Sequence, residues 1–187
     1  PEVKIINNKI NKGFGYGHNK MLDIIDSDYH FVINPDIILD TDVISQLVDK
    51  LENDKSVVMA TTKILNQDGT EQHLPKKNPK FRYLLGGRFE KYGKIFKKYR
   101  DIYTMINEVI TEPLDIEFCT GCFFCIRTEV FKKLNGFDDR FFMYFEDADI
   151  TRRARQLGRV VFYPDINVTH VWERASAKTL KFFLIQI

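Results

Sequence analysis

"YHFVINPDIILDTDVISQLVDKLENDKSVVMATTKIL", residues 29 to 65, decides the fold. Its first part, "YHFVINPD", is a short β-branched and aromatic run bounded by Pro35, which predicts a buried strand. Asp40 or Thr41 can then cap "DVISQLVDKLEND", where Val43, Leu47 and Leu51 recur every four residues along one helical face. "SVVMATTKIL" is a second strand and "NQDGT" a turn. Strand, helix and strand in this order predict an α/β class protein, with a mostly parallel sheet flanked by helices.

Working outward, "EVKIINN" reads as another short strand and "GHNKMLDIID" as a helix. Beyond Thr70 the pattern loosens, and residues 71–113 form a basic and aromatic excursion with short helices. "PLDIEFCTGCFFCIRTEVFKKLNGF" then predicts strand, turn, strand and helix, with Gly136 at the helix end. A further helix runs from about Glu146 to Leu157 and stops at Gly158. "RVVFYPDINVTHVW" supplies one or two strands split by Pro164. The whole of 1–187 is expected to be one domain, with the excursion inside it.

Composition is that of an ordinary globular chain, 44% hydrophobic and 29% charged over 187 residues. No stretch reaches the ~18 to 20 apolar residues of a membrane-spanning helix, so the expectation is a cytoplasmic protein. Net charge is +2, unevenly spread: Lys76 to Arg100 holds ten Lys or Arg against Glu90 alone, a local +9. With Phe81, Tyr83, Phe89, Tyr92, Phe96 and Tyr99 interleaved, that stretch fits contact with anionic lipid headgroups or phosphates, or a solvated basic face. No recognition motif accompanies the charge, and a nucleic-acid partner is not expected. The cysteines of "CTGCFFC", Cys119, Cys122 and Cys125, lack the fourth ligand of an iron–sulfur cluster and read as small apolar core residues of a reducing compartment.

Three acids, Glu146, Asp147 and Asp149, open the helix of "FFMYFEDADITRRARQLG". At about 100° per residue Asp147 lies near the line of Ile150, Ala154 and Leu157, the apolar face, and Asp149 is rotated far from it. Asp147 thus belongs at the inner edge of a helix N-terminus, where amides and dipole favour the ionised form, and can accept a proton from a hydroxyl. The plainer alternative is three acids that merely complement the dipole. Asp36 directly follows the predicted strand of "HFVINPDIIL", at the strand's carboxyl end, where open α/β sheets bind ligands. An oxygen ligand there suits Mg2+ or Mn2+ bound with a diphosphate. His170, in "NVTHVWERAS", follows another strand and can converge on the same rim. The glycines of "NKGFGYGHN" give G-x-G-x-G, which differs from the dinucleotide fingerprint yet allows close backbone approach to an anion.

In order, "NKGFGYGHN", "FVINPDIIL", "TGCFFCIRTEVFKKLNGFDDRFFMYFEDADITRRARQLG" and "VTHVWERAS" resemble family 2 of the glycosyltransferases, most of all rhamnosyltransferase-like members with the GT-A fold. The resemblance spans roughly residues 3 to 176 and its third block is specific. It implies that Asp147 is the catalytic base, that Glu146 and Asp149 orient the acceptor, and that Asp36 and His170 hold Mg2+ or Mn2+. Asn34-Pro35-Asp36 stands for the family's Asp-x-Asp. Asn11, Gly13, Asn19 and Asn34 fall on donor-binding segments, although His18 stands where many relatives carry Arg. The implied activity is inverting transfer of a sugar from a nucleotide-diphosphate donor to a glycan or lipid-linked acceptor in bacterial surface polysaccharide synthesis. A non-catalytic scaffold, or a module binding anionic glycan or lipid, is the rival. The resemblance also implies a portion of a longer domain, lacking the N-terminal βαβ and cut at both ends. A lipid-linked acceptor would bring residues 76–100 and the apolar C-terminus to the inner face of the membrane.

Overall fold

The computed structural model describes residues 3–171. Helix α2 (Val43–Asn53) forms where the four-residue spacing predicts it, and Asp42 caps it by accepting a hydrogen bond from the Ser45 amide at 3.1 Å. Val43, Leu47 and Leu51 are fully buried against strand β3 (Val57–Leu65) and its neighbours. Strand β1 (Tyr29–Ile33) precedes this unit, followed by the two-residue β2 (Ile37–Ile38). The excursion contains two helices, α3 (Phe81–Phe89) and α4 (Lys94–Thr104), joined by a 3-10 turn at Glu90–Tyr92. Then come β4 (Leu114–Asp115), β5 (Phe123–Arg127), α5 (Thr128–Lys133), α6 (Glu146–Ala154) and β6 (Arg159–His170).

The sheet runs β1-β5-β3-β6-β2, with β4 also on β6. The layering of helices on a central sheet is as expected, but the sheet is mixed where a mostly parallel one was predicted. Only β3 and β6 pair in parallel; β5 enters between β1 and β3 antiparallel to both. The pairings therefore make β1, β3 and β6 run in one direction and β2, β4 and β5 in the other. Antiparallel insertion is accessible because the connection from β3 to β5, residues 66–122, is long enough to return the chain to either end of the sheet.

Alternation along β5 divides the core. Phe124 and Ile126 face a cluster with Phe131, Ile150 and Ala154 of α5 and α6, while Phe123 and Cys125 face α2 on the other side. The three cysteines are free and buried, as small apolar residues should be. Pro164 does not split β6: Tyr163 pairs with Thr62 and Asn167 with Lys63, so residues 164–166 are accommodated as a bulge. Gly136 ends the α5 unit at φ +67, donating to the Phe131 carbonyl at 2.9 Å.

Two further local predictions fail. Residues 3–8 of "EVKIINN" are not a strand, and Val3 and Ile5 are 83% and 87% exposed. A strand persists only as part of a ladder, and the described sheet offers this segment no partner. The helix expected over 17–26 is instead α1 (Phe14–Asn19), followed by turns, because the Asn19 side chain leaves the helix to grip another segment.

Candidate active site

Because β1, β3 and β6 share a direction, their carboxyl ends define one rim, and the amino end of the reversed β5 lies at that same rim. Asp36 follows β1 through a turn in which the Ile37 amide donates to the Asn34 carbonyl at 3.1 Å. Pairing of Ile37 with His170 across β2 and β6 then brings the acid to the end of β6. His170 Nε2 stands 3.3 Å from Asp36 Oδ2, with the imidazole buried and the carboxylate about one-third exposed. The convergence that spacing could not establish is therefore present for this pair.

Gln72 orients that histidine. Its Nε2 donates to the His170 carbonyl at 2.8 Å, which turns its Oε1 toward His170 Nδ1 at 3.1 Å. An amide oxygen only accepts, so Nδ1 carries the hydrogen and Nε2 is the nitrogen presented to Asp36. Facing a carboxylate oxygen at this distance, Nε2 can donate a hydrogen as imidazolium or, on a neutral ring, offer its lone pair to a cation shared with Asp36. The donor set, one imidazole and one carboxylate with the imidazole held from behind, fits Mn2+ or Mg2+. Among the described residues no group of three or more His, Cys, Asp and Glu gathers to hold a metal. A cation here would complete its shell with diphosphate oxygens and water.

The second station is the start of α6. Asp147 Oδ2 accepts from the Gly121 amide at 3.1 Å and Oδ1 from Ala148 at 2.9 Å. One residue on, the Cys122 carbonyl accepts from the Asn34 amide at 2.9 Å, so the 119–122 loop ties Asp147 to the Asp36 turn. Thr151, fully buried, fixes the same loop: its hydroxyl donates to the Asp147 carbonyl at 2.6 Å and accepts from the Cys119 amide at 3.2 Å. The residue before the helix is Phe145, and both Tyr144 and Phe145 adopt left-handed backbone, at φ 70 and 68. Two bulky residues in that region store strain on the order of 1–3 kcal/mol each, a feature concentrated at functional sites.

Electrostatics at this helix differ from the expectation that amides and dipole would favour ionisation. Burial raises Asp147 above the usual carboxylate range despite the three backbone amides that oppose it. Burial, with a smaller contribution from the Asp147 charge, raises Glu146 to about 7. Glu146 is 6% exposed, and its Oε2 has no hydrogen-bond partner among the described residues. Desolvation wins because the first turn of α6 is packed under the loop rather than open to water. A carboxylate raised in this way is a stronger base.

The remaining predicted residues serve the frame. Asp149 pairs with Arg153 at 2.7 Å and Arg152 at 3.5 Å; Arg153 in turn donates to the carbonyls of Leu134 and Gly136. Its carboxylate thus points to an open polar cleft with Tyr16, Lys20 and Arg140, away from Asp147. Asn11 accepts from the Gly13 amide at 3.0 Å. Gly13, at φ +101, lies so close to Phe142 that a Cβ would stand 1.9 Å from its carbonyl oxygen, and it packs on the turn leading to α6. Asn19 grips both backbone groups of Phe137 at 2.8 Å. His18 is wedged among Phe14, Phe137 and His30, where burial lowers it to about 4, so it is neutral at pH 7. Gln72 and Gly121 were not singled out in the sequence. Gln72 had only its position just after the "NQDGT" turn to mark it, and Gly121 only its place between two strands.

Comparison with known proteins gives two family matches. The family model described as glycosyl transferase family 2 matches residues 1–135, and one described as the N-terminal domain of galactosyltransferase matches residues 101–174. Rhamnosyltransferase WbbL of Escherichia coli is 26% identical over 174 residues, covering 84% of this chain and 61% of that protein. An N-acetylglucosaminyl-diphospho-decaprenol L-rhamnosyltransferase of Mycobacterium tuberculosis is 23% identical over 184 residues, covering 91% of this chain and 59% of that protein. The chain thus spans about three fifths of the length of these curated relatives. The crystal structure of GalNAc-T7 with UDP, GalNAc and Mn2+ superimposes with a TM-score of 0.63 at 15% identity, covering 92% of this chain and 32% of that one.

Proposed function

The chain belongs to glycosyl transferase family 2, and from that premise we propose that it carries the catalytic rim of an inverting, rhamnosyltransferase-like enzyme of surface polysaccharide synthesis. The donor is a nucleotide-diphosphate sugar and the acceptor a glycan or lipid-linked hydroxyl compound. The observation that carries the reading is the buried His170, held by Gln72, meeting Asp36 at the strand ends while Asp147, at the start of α6, is bonded to the adjoining loop.

Asp147 takes the proton of the acceptor hydroxyl. The acceptor oxygen then bonds to the anomeric carbon as the carbon–oxygen bond to the diphosphate breaks on the opposite face, which inverts the centre. Gly121 and Ala148 hold the two carboxylate oxygens, and Thr151 fixes the helix turn that carries them, so the base is aimed before the acceptor arrives. Asp36 and His170 would hold Mn2+ or Mg2+, which supplies positive charge to the departing diphosphate. Asn34, beside Asp36, is the donor-side residue of this reading. Asn11, Gly13 and Asn19 brace their segment against Phe137 and Phe142 ahead of α6, and Asp149 secures α6 through Arg153. Glu146, buried next to Asp147 in the first turn of α6, is the residue of this reading that helps orient the acceptor. A lipid-linked acceptor calls for work at the inner face of the membrane, to which the basic excursion is suited.

Calorimetry with Mn2+ and a panel of nucleoside diphosphates tests the reading. Metal-dependent nucleotide binding is expected, lost in Asp36→Ala, whose side chain is about one-third exposed, while the melting temperature stays close to the wild-type value. A protein that binds no nucleotide with or without Mn2+ would be a scaffold.

A further inference from the structure

The α3–α4 hairpin carries a surface that no step of the transfer uses. Its helices cross closely at Gly86, where a Cβ would lie 2.8 Å from the Phe96 carbonyl oxygen and from the Arg100 amide nitrogen. Its root is buried: Tyr83, 6% exposed, stacks on Tyr103 with ring centroids 5.5 Å apart and planes 15° apart, and Tyr103 abuts Phe118. The opposite end, where the 3-10 turn joins the helices, is not buried. Tyr92 is 79% and Ile95 61% exposed, with Phe89 beside them against Tyr92 and Phe96. Lys91, Lys94, Lys97 and Lys98, all exposed, lie in the same short stretch, where Glu90 is the one acid.

Exposed tyrosine and isoleucine at a tip that carries four exposed lysines match neither a solvated charged face nor a buried core. The apolar groups gain nothing from water, and the lysines crowd like charge on like charge. The combination matches an anionic bilayer surface, where Tyr and Phe occupy the headgroup region and lysines meet lipid phosphates. We propose that residues 89–98 form a membrane-docking tip, inserting Tyr92, Ile95 and Phe89 among anionic headgroups while the four lysines pair with them. Among the described residues no helix is long and apolar enough to cross a membrane.

The docking surface stands on exposure and charge alone; its bearing on catalysis rests on the transfer reading. There the root matters. Tyr103 abuts Phe118, which directly precedes the 119–122 loop that Thr151 and Asp147 of α6 hold, so the hairpin's root reaches the loop on which the base is braced. Docking would hold the Asp147 rim a fixed distance from the headgroups, and a lipid-linked acceptor would need no release from the bilayer.

The test is co-sedimentation of the protein with vesicles of phosphatidylglycerol and phosphatidylcholine, against phosphatidylcholine alone. Binding only to the anionic vesicles is expected, weakening as salt rises. Lys94→Gln with Lys97→Gln should lower partition roughly 25-fold, about fivefold for each charge removed. Tyr92→Ser with Ile95→Ser should lower it further while leaving its salt dependence unchanged. All four side chains are exposed, so thermal unfolding should match the wild type and so should nucleotide binding. Equal binding to neutral vesicles, variants that sediment like wild type, or a preference for an RNA or DNA oligonucleotide over anionic vesicles at the same salt would each overturn the proposal. If vesicle binding behaves as expected but no nucleotide binds, the transfer reading fails and the docking tip stands; if nucleotide binds but the vesicle results do not follow, the reverse holds.

Discussion

Glu146→Gln is a sharp probe of the helix that carries the base. In the folded protein the Glu146 carboxyl is raised from 4.5 to about 7 by burial. At about 1.4 kcal/mol per unit, that shift makes ionised Glu146 a cost of roughly 3 kcal/mol to the folded state. The sign follows from the direction. For an acid raised on folding, the favourable contribution is complete below the unfolded value near 4.5 and is lost as pH climbs through about 7. Glutamine keeps the shape and cannot ionise, so it escapes that loss. In urea unfolding the variant and wild type should differ little at about pH 4.5, and the variant should be more stable by up to roughly 3 kcal/mol at about pH 8. Titration of Asp147 proceeds in both proteins and largely cancels in the comparison. An advantage that is the same at both pH values, or a variant less stable at about pH 8, would refute the argument that Glu146 is held against its charge. An acid retained at such a cost is the pattern of a site kept for function over stability.

Other consequences follow from the same geometry. Gln72→Leu removes the acceptor behind His170 Nδ1, and Mn2+ affinity in the presence of nucleoside diphosphate should fall roughly 10- to 100-fold by calorimetry. Gly13→Ala places a Cβ against the Phe142 carbonyl at φ +101; urea unfolding should show a loss of more than about 1 kcal/mol, and transfer should fall because the turn before α6 shifts. Thr151→Val keeps the volume but strands the buried Cys119 amide, so about 1 to 3 kcal/mol of stability should go, measured by the same unfolding midpoint.

Much of the architecture was written in local pattern. The four-residue spacing of Val43, Leu47 and Leu51 gave α2 its face, and the same geometry put Asp147 toward the interior and Asp149 away from it. What depended on distant partners was not legible. The direction in which β5 inserts beside β3 is set by tertiary pairing, which is why the sheet is mixed. "EVKIINN" has strand composition and no ladder to join. Asp147 was expected to be favoured in its charged form by the helix terminus, but the 119–122 loop covers that terminus, and covering is a property of the fold. Asp36 and His170 were readable as candidates at strand ends, whereas their contact needed the β2–β6 pairing and their orientation needed Gln72. The apolar C-terminal stretch lies outside the described residues.

The most direct measurement is sugar transfer by full-length protein carrying Asp147→Asn, followed in single turnover with a nucleotide-sugar donor whose nucleotide binds in calorimetry. Asparagine preserves the bond from Gly121 and cannot accept the acceptor's proton. Transfer should fall by about 100- to 10,000-fold while Mn2+-dependent nucleotide affinity stays at the wild-type value. Turnover undiminished in that variant would contradict the assignment of Asp147 as the base.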